Sequence, residues 1–547
     1  MTSNPPSTVA ASISGAQAVV RQFAARGVKH MYGVPGGDCS IDLIAAAEEV
    51  GIKFVLTRSE SAAAMMAAAA AQVNGSLGVV LTTRGPGLAN GLNGVACALL
   101  DRVGLVFISD GYENEQAFVS HQRFDQPRVM EGLVKGQLRI DAPTALPALG
   151  PLLDLAQSRP HGPVYLEVTG QGMRGKLPLL SLPEPRVPQA PLPALQQTAV
   201  AAARELMKGA RRPVILAGLQ TREPGAAAAL RKLAAQWHCP VFTTYMGKGS
   251  IADTDALCMG HFMAGGAEDE TMKSADLILS YGMDPIELLP KPWKYTAPVV
   301  EVATCAFDRN HYSPAVLLLG DLAEAAGGLG EGLARSTWQD DALKALKAHM
   351  RERATFDAGS GPITPTFLSR TACELLPKNA RVTVDAGAHM LPLVAFYDAA
   401  NPYDLLVTRG LATMAYGLPS GIGAAMADPA RPVVTFTGDG GLMMCAGELA
   451  TAAQVGANLT VVVFNDSSVA MIGVKQNSRG FARVGMDYST SNFAKVAEGF
   501  GCKGIEVKER GQLAAALREA YAHNGPVVVD VTIAHDSYQQ QLKSLRG

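Results

Sequence analysis

Two hydrophobic runs in this chain each end on an acid that could share one cation. Pro432-Val433-Val434-Thr435-Phe436-Thr437 stops at Gly438-Asp439-Gly440-Gly441, and Leu459-Thr460-Val461-Val462-Val463-Phe464 stops at Asn465-Asp466. A helix-like stretch, Gly447 to Val455, lies between them. Consecutive parallel strands joined by a crossover helix end on the same sheet edge, so Asp439 and Asp466 are expected to face one crevice. Hard oxygen ligands beside glycine-freed backbone amides suit a magnesium ion carrying a diphosphate. The glycines let the chain approach phosphate oxygens, and the helix start that follows favours an anion.

Gly-Asp-Gly followed at this distance by Asn-Asp resembles the thiamin diphosphate (ThDP) signature of the acetolactate synthase, pyruvate oxidase and pyruvate decarboxylase superfamily. That signature closes on Asn-Asn, so an Asp replaces the second Asn here. The resemblance implies Asp439, Asp466 and the backbone carbonyl of Ser468 as Mg²⁺ ligands, with Gly438, Gly440, Gly441 and Met471 beside the cofactor. Asp385-Ala386-Gly387-Ala388-His389 is similar to the family's Gly-Gln-His, which implies His389 on the diphosphate. Leu411-Ala412-Thr413-Met414-Ala415-Tyr416-Gly417 resembles its Gly-Thr-Met-Gly stretch. Met414 is then expected to wedge between the two cofactor rings, and the Ala412 carbonyl to accept from the 4′-amino group. Glu60, in Thr57-Arg58-Ser59-Glu60-Ser61-Ala62-Ala63, looks like the essential glutamate that shares a proton with N1′ of the cofactor's pyrimidine.

Three loops of the first segment are expected on the substrate side. Pro35-Gly36-Gly37-Asp38 follows Tyr32-Gly33-Val34 in a context typical of acetolactate synthases. Arg84-Gly85-Pro86-Gly87 resembles Ser-Gly-Pro-Gly with arginine in place of serine, and Gln122 aligns with a glutamine near the reacting carbons. The resemblance places Pro35 on the cofactor, Gly37, Asp38 and Arg84 on the substrate, and Gln122 in catalysis. Met471-Ile472-Gly473-Val474-Lys475-Gln476 is similar to the segment that carries a substrate-selecting tryptophan, a position held here by Lys475. A cation there would suit an anionic or polar substrate. The implied reaction cleaves or forms the C–C bond next to a carbonyl. A 2-oxo acid would be decarboxylated, with or without carboligation to a second carbonyl. A non-decarboxylating acyloin or aldehyde lyase and a flavin-dependent 2-oxo acid oxidase are the alternatives. FAD stays open, since some relatives bind it and the middle of the chain lacks a Gly-x-Gly-x-x-Gly fingerprint. A cofactor-binding regulatory protein without turnover is the non-enzymatic alternative.

The elements that position these residues alternate strand and helix throughout, which predicts an α/β fold of doubly wound parallel sheets. His30–Val34, Phe54–Thr57, Gly78–Thr83, Leu105–Ser109 and Val164–Val168 read as strands of a first domain, residues 1–176. Proline-rich Leu177–Leu195 reads as a linker. A central domain, 196–335, and a third, 363–547, follow. By resemblance the three are pyrimidine-binding, central and diphosphate-binding domains sharing one architecture. Relatives assemble so that the first and third domains of different subunits meet, which implies a homodimer or a dimer of dimers.

Bulk properties exclude other classes. A net charge of −2 offers no basic field for nucleic acid. No apolar run reaches the roughly 20 residues of a membrane span. Met1 to Val9 is polar, without a signal-peptide pattern, and eight scattered cysteines without Cys-x-x-Cys read as reduced thiols. A cytoplasmic enzyme acting on small molecules is the expectation.

Overall fold

Every strand of the three main sheets pairs in parallel with its neighbours. The computed structural model describes residues 12–115, 118–178, 192–264, 266–308, 310–353, 355, 357, 360–534 and 538–546. The polar N-terminus and most of the expected linker therefore lie outside the described residues. The chain divides into two compact units, 1–190 and 191–547. Among the described residues no helix is long and apolar enough to cross a membrane.

The first unit holds β1 (Ser12–Ser14), β2 (His30–Val34), β3 (Lys53–Leu56), β4 (Gly78–Thr82), β5 (Leu105–Asp110), β6 (Gln137–Ile140), β7 (Pro163–Val168) and β8 (Lys176–Pro178). Its six-stranded sheet runs β3-β2-β4-β5-β7-β6, while β1 and β8 form a separate antiparallel pair. β4, β5 and β7 are buried at every residue, as apolar strands must be when helices cover both faces. The alanine-rich helix Glu60–Asn74 packs on Pro86–Leu100, where a Cβ at Gly94 would collide with Ala64 and the Ser61 carbonyl. Small side chains on both helices thus allow close backbone approach.

The second unit begins with β9 (Pro213–Ala217), β10 (Val241–Thr243), β11 (Cys258–His261), β12 (Leu277–Tyr281), β13 (Val299–Ala303) and β14 (Val316–Leu319). Its other sheet comprises β15 (Arg381–Val384), β16 (Leu405–Val407), β17 (Val433–Gly438), β18 (Leu459–Asn465), β19 (Lys503–Val507) and β20 (Val527–Thr532). The orders are β11-β10-β9-β12-β13-β14 and β16-β15-β17-β18-β20-β19. The first and last sheets therefore share one wiring, and the central sheet has the dinucleotide-fold order instead. Leu195, expected in the linker, is buried in the central core.

Two short helices, Asp439–Cys445 and Glu448–Gln454, cross from β17 to β18 where the sequence suggests one. The weak strands β6, β16 and β19 escape sequence reading because they are short or lie at half-exposed edges.

Glu301 on β13 is 4% exposed, and both of its oxygens accept from the Asn310 amide at 3.2 and 3.1 Å. Burial pushes its carboxyl from the ordinary 4.5 up to about 7. The folded chain therefore keeps a proton that the unfolded chain releases. The stability this gives is fully present below the unfolded value and is lost as pH rises through the folded one. At about 1.4 kcal/mol per pH unit the loss is about 3 kcal/mol. Glu301→Gln is expected to gain thermal stability over the parent as pH rises across that window. Parallel melting-temperature curves for the two proteins would exclude this.

Candidate active site

In sheets wired like the first and last, ligands bind where the strand order reverses, at the carboxyl ends of the two strands that flank that point. For the last sheet those strands are β15 and β17. Asp385 follows β15 and is 1% exposed. Its Oδ1 accepts from the backbone N–H groups of Ala386 (3.1 Å) and Tyr416 (2.9 Å), and its Oδ2 from the Ala415 N–H (3.1 Å) and the Thr437 hydroxyl (2.9 Å). One buried carboxylate thus joins the ends of β15 and β17 to the loop that carries Met414. A Cβ at Gly441 would collide with the same Oδ2, so only glycine lets the start of Asp439–Cys445 sit there. Burial pushes the Asp385 carboxyl up to about 6.

The loop itself is bent by two alanines in the left-handed region, Ala412 at φ 52° and Ala415 at φ 65°. That conformation costs an alanine roughly 1–2 kcal/mol, which explains why glycine suits such a stretch. Met414 is half-buried, and its methyl lies 3.2 Å from a Cβ built on Gly440.

Asp439 opens its helix and is 3% exposed. Its Oδ1 accepts from Gly440 N–H and the Tyr488 hydroxyl, both at 2.7 Å, and its Oδ2 accepts from Ser467 N–H at 2.6 Å. The Ser467 bond brings the turn after β18 against the turn after β17. Asp466 Oδ1 accepts from the N–H and hydroxyl of Ser468, each at 3.1 Å. Burial, then the neighbouring Asp439 charge, pushes Asp466 up to about 7, and burial also raises Asp439. Two acids that each make ionisation of the other costly are suited to a shared divalent cation. Among the described residues no group of three or more His, Cys, Asp or Glu side chains could hold a metal. A cation here would draw on two carboxylates and a carbonyl.

His389 is buried beside Phe464 (ring centroids 5.3 Å). Burial pushes its imidazole down to about 4. Its Nε2 has no hydrogen-bond partner among the described residues, so one polar ring atom is left for a ligand. The Gly440 N–H, by contrast, is used by Asp439 itself. Asn465 faces elsewhere, donating to Ser491 O and Asp530 Oδ1, each at 2.9 Å. Met471 is half-buried and Lys475 exposed on the helix Ala470–Ser478.

The equivalent point in the first unit lies between β2 and β4. Glu60 is the first residue of its helix, 8% exposed, and its Oε2 accepts from the Asn90 side chain. A Cβ at Gly87 would stand 3.2 Å from Glu60 Oε1. Arg84 and Asp38, both expected on the substrate, pair with each other at 2.9 Å. Arg174 holds the other Asp38 oxygen at 2.9 Å, and Arg84 lies over the Tyr112 ring. Gln122 is exposed with φ 62°, and its carbonyl accepts from the Tyr112 hydroxyl at 2.6 Å. Pro35 is half-buried and Gly37 exposed.

Sequence reading passed over four residues of these clusters. Asn90 holds Glu60, and Tyr488 holds Asp439. Buried Gln126 accepts from Gly85 N–H at 2.7 Å and donates to Glu167 at 3.0 Å. Asp110 accepts at Oδ1 from Cys39 Sγ (3.0 Å) and from Ser40 N–H (2.9 Å) and Oγ (2.8 Å). Spacing gave no signal for Tyr488, which lies 49 residues from Asp439. Asn90 is one helical turn from Gly87, and helical periodicity could have found it.

Three family descriptions match the chain. The N-terminal TPP binding domain of thiamine pyrophosphate enzymes matches residues 13–129, their central domain 200–329, and their C-terminal TPP binding domain 385–531. The chain is 27% identical over 534 residues to the acetolactate synthase of Bacillus subtilis (strain 168), covering 95% of this chain and 93% of that protein. It is 29% identical over 550 residues to the acetolactate synthase isozyme 3 large subunit of Escherichia coli (strain K12), with 95% of each covered. The catabolic acetolactate synthase of Raoultella terrigena is 27% identical, again over 95% of each chain.

Asp385→Asn keeps the side-chain volume but turns one acceptor into an amide facing N–H donors. It is expected to cost about 1.5–3 kcal/mol and to speed hydrogen exchange at the Ala415 and Tyr416 amides. Exchange at the parent rate would remove Asp385 from this role.

Proposed function

This chain belongs to the thiamine pyrophosphate enzymes and is acetolactate synthase-like, and from that premise we propose that it is a Mg²⁺-dependent 2-oxo acid decarboxylase or carboligase. The observation that carries the proposal is the meeting of Asp439 with the Asp466-Ser467-Ser468 turn at the ends of adjacent strands. Asp439, Asp466 and the Ser468 carbonyl would hold Mg²⁺. His389 would lie against the diphosphate, with Gly438, Gly440, Gly441 and Met471 beside it. Met414 would brace the rings, and the Ala412 carbonyl would accept from the 4′-amino group. When bound, the cofactor supplies a nucleophilic carbon and an electron sink for the carbonyl carbon. Glu60 would exchange a proton with the pyrimidine nitrogen, and Asn90 fixes the carboxyl that does so. Gln122 and Pro35 complete the set in the first unit. A homodimer or homotetramer in the cytoplasm is part of the same reading.

Lys475, exposed where an aromatic wall is expected, favours polar or anionic substrates. Arg84 and Asp38 would meet the substrate as part of one charge network with Arg174 rather than as separate charges.

A flavin-free reading is supported by the central sheet. In its strand order a dinucleotide would lie across the ends of β9 and β12. Gln220 fills that crevice, accepting from the N–H and hydroxyl of Thr304 at 2.7 and 3.1 Å. Glu287 fills it from the other side, accepting from Leu219 N–H (2.8 Å), Asp284 N–H (3.1 Å) and the Thr244 hydroxyl (2.5 Å). Every residue of the turn Leu219–Arg222 is buried. These side chains stand where a flavin dinucleotide would lie, which supports the flavin-free reading, and a flavin-dependent oxidase is not proposed.

Incubation of the protein with ThDP, Mg²⁺ and a panel of 2-oxo acids, aldehydes and acyloins, read by mass spectrometry, tests the reaction. Carbon dioxide with an aldehyde or acyloin product is expected. Acyloin cleavage without carbon dioxide would select the lyase instead. Glu60→Ala is expected to lower ThDP-dependent turnover by about 100-fold or more, and wild-type turnover would refute its role. The purified protein is expected to be colourless and not to bind added FAD in calorimetry. Stoichiometric yellow cofactor would reverse the flavin-free reading.

A further inference from the structure

Tyr488 lies outside every motif of the chain, yet its hydroxyl donates to Asp439 Oδ1 at 2.7 Å and stands 3.4 Å from the Ser468 carbonyl oxygen. Both oxygens belong to the proposed cation site. The backbone fixes this placement. Tyr488 N–H donates to Ser467 O at 3.0 Å, Val469 N–H donates to Met486 O at 2.8 Å, and Ser468 forms an antiparallel bridge with Asp487. Arg483 Nη2 and Nε hold the Asp487 carboxylate at 2.6 to 3.1 Å. The segment Met486–Tyr488 is thereby strapped along the turn Ser467–Val469.

The effect on Asp439 can be counted in lone pairs. A carboxylate offers about four acceptor sites. Gly440 N–H and Tyr488 Oη occupy those of Oδ1, and Ser467 N–H occupies one of Oδ2. The Asp466 N–H also bears on this carboxylate, so Oδ1, which carries both the Gly440 N–H and the Tyr488 hydroxyl, is the oxygen withdrawn from a cation. Without the tyrosine Oδ1 would keep only the Gly440 N–H, and either oxygen could then meet the cation. Tyr488 is half-buried rather than part of the buried core, so its polar end is the part the site uses. A Cβ at Gly440 would stand 3.1 Å from the Tyr488 hydroxyl and 3.2 Å from the Met414 methyl. The tyrosine therefore also bounds the space beside the ring-bracing methionine.

We propose that Tyr488 is a positioning residue that selects which oxygen of Asp439 meets the divalent cation, and that the strap Met486–Tyr488 couples cation affinity to the order of this segment. The inference rests on the cation site proposed above. The experiment titrates Mn²⁺ into the full-length protein with saturating ThDP, read by calorimetry and by the electron paramagnetic resonance of the ion. No Mn²⁺ binding to the parent protein would sink the cation site itself. If the parent binds Mn²⁺, Tyr488→Phe is expected to weaken its affinity by about 10-fold or more, the scale for losing an outer-shell hydrogen bond to a metal ligand. Tyr488→His, which keeps a ring N–H donor, is expected to recover part of that loss. Affinity within about twofold of the parent in Tyr488→Phe would overturn the proposal. So would equal weakening in the Phe and His variants, because ring shape and not donation would then be at work. Loss of the cooperative melting transition in Tyr488→Phe would assign the residue to the fold and overturn the proposal as well.

Discussion

A buried carboxylate with four donors on it holds the last sheet's candidate site together. Asp385 ties the ends of β15 and β17 to the Ala412–Tyr416 loop and sits where a side chain on Gly441 would otherwise stand. Isolating an ionised acid from water is costly unless hydrogen bonds replace the lost hydration. That requirement makes the arrangement mutual. The loop amides need the acid because they are tucked against the sheet end, and the acid needs them because it is buried. The anchor holds the backbone N–H of Ala415, one of the two left-handed alanines of the loop.

Wiring explains why chemistry collects at the same place in two sheets. The first and last sheets share a strand order whose reversal opens a crevice between two central strands, and glycine crowds both crevices. A Cβ at Gly36 would meet Asp110 and Thr83, as one at Gly441 would meet Asp385 and Thr437. In each case an acid or hydroxyl at a strand end comes up against backbone that carries no side chain. The central sheet has a different order, and at its strand ends Gln220 bonds Thr304 and Glu287 bonds Leu219.

Electrostatics sort the ionisable groups in a similar way. Asp439 and Asp466 are pushed up by burial, and Asp466 also by its acidic neighbour. Asp38 is shared between Arg84 and Arg174 in the first unit. Cys39, which lies beside a site loop, is buried against Asp110, and burial pushes its thiol up, so it is a packing group and not a nucleophile.

Much of this was legible in the amino-acid order, because it rests on local rules. Apolar runs of strand length, glycines where strands stop, and acids just beyond them are set by neighbours a few residues away. The family, the parallel α/β sheets, and the Gly438–Gly441 and Asn465–Ser468 turns follow from those runs. The helix expected over Gly447 to Val455 corresponds to Glu448–Gln454, and Asp439–Cys445 escapes because a seven-residue stretch with two glycines carries no helical spacing of its own. The three sheets were read as one architecture because strand order is not written in any local pattern. Only the tertiary structure decided that Asp385 is an anchor, that Tyr488 reaches Asp439 across 49 residues, that Asn90 holds Glu60, that Arg84 is spent on Asp38 and that Gln220 fills the central crevice. These pairings depend on which sheet edges fold together, and that is settled by packing of the whole core, not by the identity of the residues on either side.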